Sequence, residues 1–138
     1  MMADNVKQVM RAQELLDKRY GLGDMNNGRM DCLSFLWQFY GDSIPHDWNG
    51  WNAKNYAVRW SNGEGRHELY EFLHSLGVEI EQAYMTDNDL LIIDTPDGVT
   101  PAIYLGSGNI MIVTIEQGVF VMPINYLSCD IMEVRRIG

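Results

Sequence analysis

The sequence predicts an α+β domain, with helices in its first half packed on an antiparallel sheet built from its second. Apolar residues recur at helical spacing in three stretches before Gly77. After Val78 the chain changes to six short runs, mostly rich in Val, Ile and Tyr, several set apart by turn signals. Helices first and strands second is the pattern of the α+β class rather than of alternating α/β units. The 138 residues make one domain, spanning 1–138. With 46% hydrophobic and 21% charged residues, the chain can build a core without metal or disulfide staples.

The first predicted helix runs from Asn5 to Lys18, with Val6, Val9, Met10, Leu15 and Leu16 on its apolar side. Gly21 and Gly23 end it, and Gly21 to Gly28 reads as a polar, glycine-rich loop. Met30 to Tyr40 (MDCLSFLWQFY) is apolar enough for a buried helix, which puts Cys32 in its first turn. The partial positive charge of a helix N-terminus stabilises a thiolate. Ile44 to Asn62 holds Trp48, Trp51, Tyr56 and Trp60 among Asn and Gly, and reads as an irregular excursion with a short helix near Lys54–Trp60. Arg66 to Leu76 is amphipathic, with Leu69, Phe72, Leu73 and Leu76 on one face and Gly77 as its stop. The predicted strands are Val78–Tyr84, Asp89–Asp94, Thr100–Leu105, Asn109–Glu116, Val119–Pro123 and Ile131–Arg136. Pro96-Asp97-Gly98, Gly106-Ser107-Gly108 and Gln117-Gly118 supply turns between them.

Charge narrows the partners. The net charge is −9, and residues 70–138 carry 10 acidic against 2 basic groups. No Lys or Arg occurs between Arg66 and Arg135. Such a surface repels phosphate backbones and anionic membranes, so neither nucleic acid nor a membrane is an expected partner. No apolar run is long enough to span a bilayer, and MMADNVKQVMR lacks the layout of a secretion signal. The two cysteines, Cys32 and Cys129, have no zinc-site spacing, and no metal or other cofactor is expected. Asp87, Asp89, Asp94 and Asp97 lack calcium-loop spacing and read as solvated turn and strand-edge residues.

A cysteine opening a buried helix, followed by an antiparallel sheet, suggests a papain-like layout. Met30-Asp31-Cys32-Leu33-Ser34-Phe35 resembles the Asp-Cys-Ser-Gly-Phe nucleophile motif of the NlpC/P60 cysteine peptidases, which cut peptidoglycan stem peptides. Asn88-Asp89-Leu90-Leu91 resembles their Gly-Asp-Leu-Val strand, and Thr100-Pro101-Ala102-Ile103-Tyr104-Leu105-Gly106 their His-Val-Gly-Ile-Tyr-Leu-Gly strand. Arg11 to Tyr20 resembles the family's first helix. The resemblance places Tyr20, Asp31 and Ser34 beside the cleft, and Trp48 and Trp51 are candidates for a binding surface. Asp-Cys-Leu in place of Asp-Cys-Ser resembles the variant found in peptidase-like proteins of phage tails and gene transfer agents.

The departures set the functional expectation. The family's general-base histidine falls at Thr100 and its third polar residue at Ile112. A threonine hydroxyl cannot take a thiol proton near neutral pH, and an isoleucine cannot orient an imidazole. Losing the base forfeits roughly 10²–10⁴-fold in rate. His46, in a loop after the cysteine helix, is the one candidate for a substitute base; His67 and His74 read as solvated helix residues. Cys32 therefore reads as a vestigial nucleophile, and Cys129 as structural. The leading expectation is a structural component of a phage tail, near its tip or hub, that binds other virion proteins. An active peptidase cutting stem peptides during cell entry is the second, and a module that binds peptidoglycan peptides without turnover is the third.

Overall fold

The apolar run containing Cys32 forms helix α1 (Cys32–Tyr40), whose composition leaves it almost no polar face. It is accordingly buried: Phe35, Leu36, Trp37, Phe39 and Tyr40 are inside, and Gln38 points to solvent. The computed structural model describes residues 32–48, 51–52, 65–95, 98–114 and 118–137. The expected helices at Asn5–Lys18 and Lys54–Trp60, and the loop at Gly21–Gly28, lie outside those residues, as do Tyr20 and Asp31.

After α1 a short 3-10 turn (Gly41–Ser43) leads to two two-residue strands, β1 (Asp47–Trp48) and β2 (Trp51–Asn52). They pair antiparallel, with Trp48 opposite Trp51. This corrects the expectation of an irregular excursion over this part of Ile44–Asn62. The overlooked signal is Asn49-Gly50 between the tryptophans, the residue pair most favoured in two-residue hairpin loops.

Helix α2 (Gly65–His74) buries Leu69, Phe72 and Leu73, with Leu76 just beyond its end. The chain then turns at Gly77, where φ is +56°, and a Cβ there would lie 2.0 Å from the Arg136 carbonyl oxygen. Only glycine fits, because a side chain would be strained by the dihedral and blocked by backbone.

The second half forms one antiparallel sheet from β3 (Val78–Ile80), β4 (Leu90–Thr95), β5 (Gly98–Gly106), β6 (Asn109–Thr114), β7 (Gly118–Pro123) and β8 (Asp130–Arg136). Its order is β3-β8-β4-β5-β6-β7. The last strand thus inserts next to the edge, between β3 and β4, with a register shift opposite Ile92/Ile93.

Leu90 to Ile93 are all fully buried, so this stretch of β4 has no solvated face. Leu90 and Ile92 join Ile103, Met111, Val113 and Val119 under the two helices. Leu91 and Ile93 join Ala102, Ile110, Ile112 and Val134 in a second cluster on the other side. Antiparallel sheets usually leave one face to water and show alternating sequence. The unbroken Leu-Leu-Ile-Ile here marks a sheet with apolar material on both.

Candidate active site

Cys32 is the first residue of α1, the placement the nucleophile motif requires. The far end of the same helix is pinned to the sheet: the buried Tyr40 hydroxyl donates to the Asn88 carbonyl oxygen at 2.8 Å. Burial, and after it the negative charge of Asp89, push the Tyr40 pKa well above its ordinary 10.0, so the hydroxyl keeps its proton and stays a donor.

Asn88 and Asp89 explain the Asn-Asp-Leu-Leu motif. Asn88 has φ of +72°, a conformation that Gly and Asn tolerate best, and it occupies the position that is Gly in the motif it resembles. Asp89 is only 2% exposed, which corrects its reading as a solvated strand-edge residue. Its carboxylate accepts from the Thr86 backbone N–H at 2.9 Å and from the Arg136 guanidinium. That guanidinium also donates to the Tyr84 carbonyl oxygen and the Thr86 hydroxyl. The motif is therefore a structural clasp that fixes the start of β4.

Thr100 lies on β5 opposite Ile93 of β4 and is half-buried. Ile112 on β6 is 6% exposed and belongs to the same apolar cluster as Ile93 and Ala102. Cross-strand partners project to one face, so the two expected partner positions come to one side of the sheet, that of the second cluster, whereas α1 packs on the other. What occupies them is a hydroxyl and a buried alkyl group.

His46 is placed at the other end of α1 from Cys32. Its Nε2 lies 2.8 Å from the Gly41 carbonyl oxygen, and its ring stacks on Trp37 with centroids 5.7 Å apart. At 1.5 Å rise per residue, the helix separates Gly41 from Cys32 by about 13 Å along its axis.

His74 is not merely solvated, as the sequence reading had it. Its Nδ1 lies 2.8 and 2.9 Å from the Glu133 carboxylate oxygens, and its ring stacks on Tyr70. The Tyr70 hydroxyl donates to the same carboxylate at 2.6 Å, and Arg135 approaches it at 3.5 Å. Burial by itself raises the Glu133 pKa, but the Tyr70 and His74 hydrogen bonds and the charges of His74 and Arg135 outweigh it, and the net shift is downward. The hydrogen bond to Glu133 in turn raises the Tyr70 pKa. Arg135, itself buried, donates to the Leu76 and Gly77 carbonyl oxygens beyond the end of α2. This cluster ties α2 to β8. Among the described residues no group of three His, Cys, Asp or Glu side chains could hold a metal ion.

Solved structures superpose on this arrangement of helices and sheet. One is the crystal structure of the NlpC/p60 domain of the peptidoglycan hydrolase SagA. It superposes with a TM-score of 0.64 at 20% identity over 96% of this chain and 97% of that one.

The chain has the NlpC/P60 fold.

NlpC2 from Trichomonas vaginalis matches with a TM-score of 0.56 at 18% identity, over 96% of this chain and 46% of its own. No family model matches the sequence, and no curated protein does. Cys32 opens its helix, while the side chains of Cys32, Ser34, His67, Trp48 and Trp51 lie outside the described part. Among the described residues no helix is long and apolar enough to cross a membrane.

Proposed function

We propose that this chain is a catalytically degraded NlpC/P60 fold that works as a structural or interaction component, in the tip or hub region of a phage tail. The observation that carries the loss of catalysis is Ile112, buried among Ile93, Ala102 and Ile110 beside Thr100. A base at Thr100 would have no polar group at Ile112 to orient it, and His46 is committed to Gly41 and Trp37. The tail context rests on the Asp-Cys-Leu variant of the nucleophile motif and on its resemblance to tail-associated relatives. Partners would be other virion proteins.

One observation favours a second reading, an active peptidase on peptidoglycan stem peptides. Cys32 opens a nine-residue helix, and a helix N-terminus lowers a thiol pKa and offers backbone N–H groups to an oxyanion. The rate of iodoacetamide alkylation of Cys32 against pH, in a Cys129→Ser background, separates the two. An apparent pKa of about 8.5, the free-thiol value, or a thiol that does not react in the folded state, supports the degraded site. A plateau of reactivity persisting well below neutral pH, with release of cleaved stem peptide from muropeptides, overturns it.

A further inference from the structure

We draw no further inference here: the strongest candidate, the outer edge of strand β7, where the uncharged run Gly118–Pro123 presents an exposed Val121, is already buried at Val119, and nothing in the structure shows what covers the rest.

Discussion

Arg136 grips Asp89 with two parallel hydrogen bonds, Nε to Oδ1 at 3.0 Å and Nη2 to Oδ2 at 2.9 Å, joining the last strand to the residue just ahead of β4. The carboxylate is buried while the guanidinium is partly in water. Asp89→Ala removes this pair and the bond from the Thr86 backbone N–H, and should cost about 2 to 3 kcal/mol. Arg136→Ala should be destabilising too, since it leaves a buried charge with one donor fewer. Urea melts of both single variants and the double variant check this. The double variant should lose less than the sum of the singles, because the second change removes a partner already missing.

The Glu133 clasp makes a pH prediction. Its folded pKa is lowered, so its contribution to stability is fully present above the unfolded carboxylate value of about 4.3. That contribution disappears as the pH falls through the lowered folded value. Glu133→Gln should therefore destabilise the protein at neutral pH and flatten the acid limb of its stability curve. Thermal melts between neutral pH and the acid transition would show it. Parallel acid limbs for the two proteins would refute the assignment.

Two glycines with similar dihedrals should respond differently. Gly77 (φ +56°) has the Arg136 backbone 2.0 Å from where a Cβ would go, whereas Gly108 (φ +80°) has nothing within 4 Å. Gly108→Ala should cost only the left-handed strain, about 1 to 2 kcal/mol. Gly77→Ala adds a clash with backbone that no rotamer can relieve, and should cost well over 2 kcal/mol. Denaturant midpoints of the two variants rank them. Equal losses would mean that the approach of β8 to Gly77 is not tight.

Placing histidine at the two expected partner positions should be asymmetric. Thr100→His places an imidazole at a half-buried site and should change stability by less than about 1 kcal/mol. Ile112→His buries one among Leu91, Ile93 and Ala102 with no hydrogen-bond partner, and should cost about 2 to 3 kcal/mol. Calorimetry of each variant, with muropeptide turnover assayed alongside, would show whether the third position can be rebuilt at all.

Legible in the sequence were the α+β class, a buried helix within Met30–Tyr40, an amphipathic one within Arg66–Leu76, the turn at Gly77 and six strands, of which the one expected over Val78–Tyr84 stops at Ile80 and gives way to a 3-10 turn at Gln82–Tyr84. These follow from local facts: the spacing of apolar residues and the dihedrals that Gly and Asn permit. Asn88 was legible in the same way, as the residue best able to stand in for Gly at a left-handed position. The pairing of Trp48 with Trp51 is legible too, in the Asn49-Gly50 between them. The tertiary structure alone decided that Asp89 is buried against Arg136, 47 residues away, and that Glu133 receives Tyr70 and His74 from 63 and 59 residues away. It alone placed His46 at the far end of α1. The reason is physical. A carboxylate's burial and partners depend on which strand lies beside it, and here β8 inserts between β3 and β4, an order that no local pattern of residues encodes.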